Sequence, residues 1–233
     1  MAALCTARAQ TITWQNPQVI SGASDVLDNG TYFGSWAPFD GGASSQPVNG
    51  VTFEGNSDLA DLSYNFSGGY GGTGSYGSPG TASANYNALL EYGQYAYGGG
   101  NSTIDWGGMT PGDTYEVQFW VEDVRGYYDR WENLSGGAVG ATAYGTDTSG
   151  PLGYSSPVFN ATTNPGYFVT GTFVADSAGS EEILLTPYNV GGGADTQVNL
   201  FQVRDITAVP EPSVMGFLTG GGAMILLGLR RRG

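Results

Sequence analysis

The clearest pattern along the chain runs from Thr114 to Asp123, where Tyr115, Val117, Phe119 and Val121 alternate with Glu116, Gln118, Trp120 and Glu122. A period of two predicts a half-buried β-strand with the first set of residues on its core face. Just ahead of it, Ile104 and Trp106 alternate with polar neighbours and Thr110-Pro111-Gly112 supplies a turn. A Pro-Gly turn three residues before a tyrosine on a core strand is an arrangement that β-sandwiches use as a corner, the phenol bonding back to the turn. Weaker patterns flank this unit. Thr11 to Trp14 predict a first edge strand, and Val19-Ile20 lead into a turn-rich stretch, Ser21 to Trp36, in which Asn29-Gly30 is a hairpin signal. Val48 to Phe53 predict a second hairpin or strand end, and Tyr86 to Leu90 either a short helical turn or a buried strand.

Later in the chain, Tyr167 to Ala175 and Glu181 to Tyr188 predict two strands joined by the turn Asp176 to Ser180. Gln197 to Ile206 predict a last strand, with Phe201 and Val203 facing one side and Arg204 the other. Two stretches lack periodicity. Gly68 to Gly80 are low-complexity and predict a loop, and the Gly- and Thr-rich segment from Ser135 to about Asn164 predicts a chain that is either irregular or paired only at an edge.

Composition strengthens the β reading. With 40 Gly, 15 Tyr, 10 Phe and 5 Trp, the chain is rich in turn and strand formers, so an all-β, antiparallel protein with few helices is expected. Charge then narrows the function classes. There is no lysine, and the only arginines between the termini, Arg125, Arg130 and Arg204, face all of the 21 acidic residues except Glu211. So acidic a body argues against nucleic acid and anionic membrane surfaces, both of which need Lys or Arg clusters, and is compatible with divalent cations or neutral glycans. The chain has no histidine, which removes Ser-His-Asp and Cys-His catalysis and histidine-ligated metals. Cys5 is the only cysteine, so the body has neither a disulfide frame nor a cysteine metal site.

The carboxyl end departs from this composition. Val214 to Leu229 carry no charge over 16 residues, just short of the roughly 17 to 25 usual for a spanning helix, and contain five glycines. Arg230, Arg231 and Arg232 follow, placing positive charge where it holds the end of an apolar segment on the cytoplasmic side. Val209-Pro210-Glu211-Pro212-Ser213 stand just ahead. Together these features resemble the PEP-CTERM sorting signal of Gram-negative envelope proteins. The resemblance implies export, transient anchoring by a C-terminal transmembrane helix, processing near Pro210 to Pro212 by an exosortase-type enzyme, and release to the cell surface or extracellular space. An uncut tail anchor is the alternative, and both place the body outside the inner membrane. At the amino end, Ala7-Arg8-Ala9 fit a signal-peptidase site but the apolar region of a secretory signal is missing. The expectation is a missed upstream start with a mature chain beginning near Gln10; a plain terminus is the alternative.

The motifs SGASDV with NGT, VNGVTF, the leucine pair after Tyr86, TPGDTYEVQFWVEDVRG, GTFVAD and NLFQVRD resemble a recurrent ectodomain found ahead of PEP-CTERM tails. That resemblance implies a β-sandwich of jelly-roll or galactose-binding-like type, a fold often used for carbohydrate binding. The chain thus divides into a signal remnant (1–9), a sandwich ectodomain (10–207) and a sorting tail (208–233).

Three groups of residues carry candidate chemistry. Tyr70 and Tyr76, spaced by Gly and Ser, are either part of a surface excursion or rings that stack on sugars. Asp123, Arg125, Tyr127, Tyr128, Asp129, Arg130 and Trp131 form the densest mixture of charge and aromatic surface in the body. They are either a glycan-contacting edge or a loop held by Asp123 paired with Arg125 or Arg130. Asp25, Asp28 and Asn29 offer oxygen ligands of the kind calcium takes, without the spacing of a twelve-residue calcium loop; turn residues bonding their own backbone are the plainer reading. Two functions follow. One is a non-catalytic cell-surface or matrix protein that binds extracellular polysaccharide. The other is a hydrolase using two carboxylates, for which Glu122, Asp123 and Asp129 are the nearest acids.

Overall fold

A computed structural model describes residues 11–37, 45–53, 56–66, 70–97, 101–124, 130–137, 152–154, 166–187 and 195–207. The expected signal remnant and sorting tail, with Val209 to Ser213 and Arg230 to Arg232, lie outside the described residues. No helix among the described residues is long and apolar enough to cross a membrane.

The strands, in chain order, are β1 (Thr13–Trp14), β2 (Gln18–Val19), β3 (Thr31–Ala37), β4 (Gln46–Val48), β5 (Val51–Phe53), β6 (Asn56–Ser57), β7 (Ser63–Phe66), β8 (Tyr70–Ser75) and β9 (Tyr92–Tyr97). They continue with β10 (Ser102–Trp106), β11 (Thr114–Val121), β12 (Arg130–Gly137), β13 (Leu152–Tyr154), β14 (Tyr167–Val174), β15 (Glu181–Pro187), β16 (Thr196–Val198) and β17 (Leu200–Asp205). One α-helix, α1 (Ala84–Leu90), stands among them, its first turn capped by Ser83 Oγ, which accepts from Tyr86 N. All the pairings are antiparallel.

A seven-stranded sheet runs β1-β14-β11-β17-β3-β6, with β2 also on β14, and a five-stranded sheet runs β13-β12-β15-β10-β7. Their inner faces share one core. Val117, Phe119, Phe201, Val203, Val169 and Phe173 from the first meet Ile104, Trp106, Leu134, Ile183 and Leu185 from the second. The fold is therefore an all-β, antiparallel sandwich. A corner joins β10 of one sheet to β11 of the other, and the expected phenol contact is there: Thr110 N donates to Tyr115 Oη at 3.0 Å. The turn from β14 to β15 likewise passes between sheets, so those two strands are not a hairpin.

Four expectations are corrected. First, Gly68 to Gly80 are not simply a loop, because Tyr70 to Ser75 form β8 and pair with β9, Gly72 opposite Tyr95. Glycine gives no propensity signal for a strand, and the tyrosines that complete the pairing lie twenty residues away. Second, Asn29-Gly30 do not close a hairpin, since β2 pairs with β14 while β3 pairs with β17 and β6. The hairpin signal that does operate is Asn49-Gly50, with φ of 48° and 76°, joining β4 and β5. Third, the stretch expected as one last strand is two. β16 pairs with β9 and β17 with β11 and β3, the break falling at Asn199. The Asn199 amide group donates to Leu90 O (2.9 Å) and Tyr92 O (3.2 Å) and accepts from Glu122 N (2.8 Å), so one side chain holds the joint between two sheets.

Fourth, β11 is buried on both faces, not one. Its outer face and that of β17 lie under a second cluster in which Trp120 and Leu200 pack with Ile20, Val26, Val48, Val51, Phe53, Tyr86, Leu89 and Leu90. The cover is built from the chain between β2 and β3, the β4–β5 hairpin and α1. The helix YNALL settles the Tyr86 to Leu90 alternative in favour of the helical turn, with three of its side chains buried here.

Candidate functional site

The outer face of the large sheet is graded in polarity. Pairing of β11 with β17 sets Trp120 opposite Leu200, Gln118 opposite Gln202 and Glu116 opposite Arg204. Each step is met by a different part of the cover. At the apolar end, Trp120 Nε1 donates to Tyr86 Oη at 2.8 Å. The Tyr86 phenol is raised well above its ordinary range, first by burial and then by the Asp25 carboxylate 3.3 Å away.

In the middle, side chains do what a strand ladder would. Gln118 Oε1 accepts from Leu27 N (3.0 Å) and Gln202 Nε2 (2.9 Å), and Gln118 Nε2 donates to Asp25 O (2.6 Å). At the charged end, Asn29 Nδ2 donates to Glu116 Oε2 at 2.9 Å. The Arg204 guanidinium donates to the carbonyls of Asn29, Asp28 (3.0 Å) and Gly30 (3.3 Å), its Nη1 having no hydrogen-bond partner among the described residues. Arg204 is only 5% exposed. Burial draws its pKa below the usual guanidinium range, opposed by Asp28, Tyr32 and Glu116.

Where the polar end reaches the surface there is an open cleft of about 390 Å³, lined by Asp28, Tyr32, Gly50, Val51, Thr52, Asp58 and Arg204. That volume falls within the roughly 300 to 1,000 Å³ of small-molecule sites. Arg204 and Val51 are buried, Tyr32 is half-buried, and Asp28, Thr52 and Asp58 are exposed at the rim. Asp58 is fixed in place, its Oδ1 accepting from Ser35 N at 2.6 Å and its Oδ2 lying 2.9 Å from Tyr32 Oη. The lining therefore offers oriented donors and acceptors beside an apolar wall.

Of the singled-out residues whose side chains the structure describes, only Asp28 lines this cleft. Asp25 closes its own turn, its carboxylate accepting from Ser21 N (2.6 Å), Ser21 Oγ (2.5 Å) and Gly22 N (2.9 Å). Asp25, Asp28 and Asn29 do not converge, because Asn29 turns to Glu116 while Arg204 takes the Asp28 and Asn29 carbonyls. Among the described residues no three acidic, histidine or cysteine side chains could hold a metal ion.

Tyr76 is buried, not exposed. Its ring stands edge-on to Tyr95 at 6.3 Å because its backbone spans Glu91 O and Val124 N, drawing the residue beneath the β8–β9 pair. Tyr70 begins β8. Asp123 is 2% exposed and Glu122 fully buried, and neither lines the cleft. Arg125, Tyr127, Tyr128 and Asp129 lie outside the described residues, and Arg130 and Trp131 are placed only by their backbone in β12, opposite Tyr154 and Gly153.

Sequence reasoning missed Tyr32, Thr52 and Asp58. One signal pointed their way: Arg204 is a lone cation alternating with Phe201 and Val203 in a chain without lysine, a poor residue for a plain solvent face.

No family model matches the chain, and no curated protein matches it. Among solved structures it is similar to the ANX2 ectodomain of Arabidopsis thaliana, with 16% identity and a TM-score of 0.49 over 76% of this chain and 50% of that one. It is likewise similar to the ANXUR1 extracellular domain of the same plant, with 13% identity and a TM-score of 0.49 over 84% of this chain and 57% of that one. The chain spans about half the length of these ectodomains. Neither similarity bears on what this chain does.

Proposed function

We propose that the chain is an exported, non-catalytic surface or matrix protein that binds extracellular polysaccharide through its sandwich domain. The observation that supports binding is the Arg204 cleft, where a buried guanidinium, two rim carboxylates, a hydroxyl and a phenol surround an apolar wall. Sugars present hydroxyls that both donate and accept, together with apolar C–H faces, and this lining answers both. Glu122 and Asp123, two of the three acids nearest to the hydrolase alternative, are buried and do not line this cleft, which suits a binding role better than that alternative.

Export rests on the tail. Val209 to Ser213, the uncharged run and Arg230 to Arg232 support delivery to the inner membrane with the body outside, and processing there by an exosortase-type enzyme. Calcium is not needed for this reading. Retention of the purified protein on a panel of immobilised polysaccharides tests the binding claim, and retention by none of them removes it. For processing, the mass of the envelope-associated chain decides: a product that still carries Arg230 to Arg232 where exosortase is active refutes cleavage.

A further inference from the structure

Resting on the glycan reading above, we infer that the Arg204 cleft selects neutral saccharides and rejects both acidic and amino-sugar polymers. The reason is how its polar groups are committed. Arg204 spends Nε and Nη2 on the carbonyls of Asn29, Asp28 and Gly30, which fixes the guanidinium as a buried positive charge in the cleft wall, while the exposed Thr52 hydroxyl is left at the rim to donate or accept. Asp58 is locked by Ser35 N and Tyr32 Oη, yet a carboxylate has about four lone-pair sites, so it retains the capacity to accept from a ligand. Asp28 stands exposed on the same rim.

A uronate or phosphate ligand would be attracted by the Arg204 charge but would also meet Asp28 and Asp58, with Glu116 behind them, in a protein of net charge −14. An ammonium would suit the two aspartates and oppose the guanidinium. A hydroxyl donates to the aspartates and accepts from the Thr52 hydroxyl, so a neutral sugar with neighbouring hydroxyls meets the polar lining without bringing an uncompensated charge beside the guanidinium or the carboxylates. Tyr32 and Val51 then supply the apolar contact.

The experiment is affinity electrophoresis of the full chain through gels holding neutral polymers (an α-glucan, a β-glucan, a mannan and a galactan), a polyuronate, or partly deacetylated chitosan, at low and high salt. Two variants accompany the wild type. Thr52→Trp fills the cleft from an exposed strand position, and Asp28→Asn removes a rim charge whose carboxylate makes no hydrogen bond among the described residues; a thermal melt confirms that each is folded. The expected result is retention by at least one neutral polymer, little changed by salt, weakened about tenfold or more in Thr52→Trp, equivalent to about 1.4 kcal/mol. Asp28→Asn is expected to reduce the discrimination against the polyuronate.

Each contrary outcome is distinct. Preferential, salt-sensitive retention by the polyuronate or by chitosan overturns the neutral class. Neutral retention that Thr52→Trp leaves intact overturns this cleft as the site while the glycan reading stands. Retention by no polymer removes both.

Discussion

Glu181 offers a quantitative test of the sandwich core. It begins β15 and shares the inward face with Ile183 and Leu185, so its carboxyl is carried into the end of the core. It is fully buried, and neither carboxyl oxygen makes a hydrogen bond of ordinary geometry. Burial first, and then the Asp176 carboxylate, raise its pKa from 4.5 to about 8, with the Glu182 backbone N–H opposing. The folded protein therefore holds this proton more tightly than the unfolded chain. The stability it contributes is complete below about pH 4.5, declines as pH rises, and is lost by about pH 8.

At about 1.4 kcal/mol per pH unit, the loss between pH 5 and pH 8 is on the order of 3 to 4 kcal/mol, a large share of the roughly 5 to 15 kcal/mol that stabilises a domain. Glu181→Gln keeps the shape and removes the titration. Urea unfolding of both proteins at half-unit intervals from pH 5 to pH 8.5 isolates the effect, because every other titrating group is common to the two. The variant should gain on the wild type steadily through this window, ending on the order of 3 kcal/mol ahead of its pH 5 position. Two stability curves that stay parallel across the window would refute the burial of this carboxyl.

Further consequences follow from the joints of the fold. Tyr115→Phe keeps the ring between Phe33 and Phe173 but leaves Thr110 N without its acceptor, and should lower stability by about 1 to 2 kcal/mol in denaturant unfolding. Asn199→Leu abandons Leu90 O, Tyr92 O and Glu122 N together, and should cost about 3 kcal/mol or more, with hydrogen exchange rising first across β9 and β16. Gly171→Ala would drive a methyl into Ile12 Cγ2 and to within 2.7 Å of Trp14 Cε3, for a loss of about 1 to 3 kcal/mol. Combined with Ile12→Ala, which removes Cγ2, it should cost less than the sum of the two single substitutions, and strictly additive effects would refute the contact.

The parts of the fold legible in the sequence are those where a local signal has a local cause. The period of two in β11 names its core face, and the corner is encoded within six residues, Thr110 to Tyr115, that bond to each other. Arg204 opposite Phe201 and Val203 is equally plain. What escaped depends on distant partners. Nothing between Gln197 and Ile206 marks a break, because Asn199 turns the chain by bonding to residues more than seventy positions away. The alternation in β11 predicts core against solvent, whereas Gln118 and Glu116 face a second layer, Gln118 meeting its backbone and Glu116 accepting from the Asn29 side chain. Polar residues on a strand report that hydrogen bonds are needed; they do not say whether water or protein supplies them.

That ambiguity is also why the candidate site was hidden. The segment from Asp25 to Gly30 has no strand partner, so its N–H and C=O groups must be met by side chains or water. Gln118, Gln202 and Arg204 meet those of Asp25, Leu27, Asp28, Asn29 and Gly30, and in doing so they fix where the cover can lie. Sliding the segment by one residue would exchange donors for acceptors at both glutamines, so the graded face specifies register as well as closure. Arg204 is the end of that series: it is buried because it completes the backbone account of the loop, and it forms part of the cleft wall where the cover stops. The proposed binding surface is then a by-product of docking the cover, and a change that loosens the glutamine pair, such as Gln202→Ala, should weaken ligand retention without touching the cleft lining.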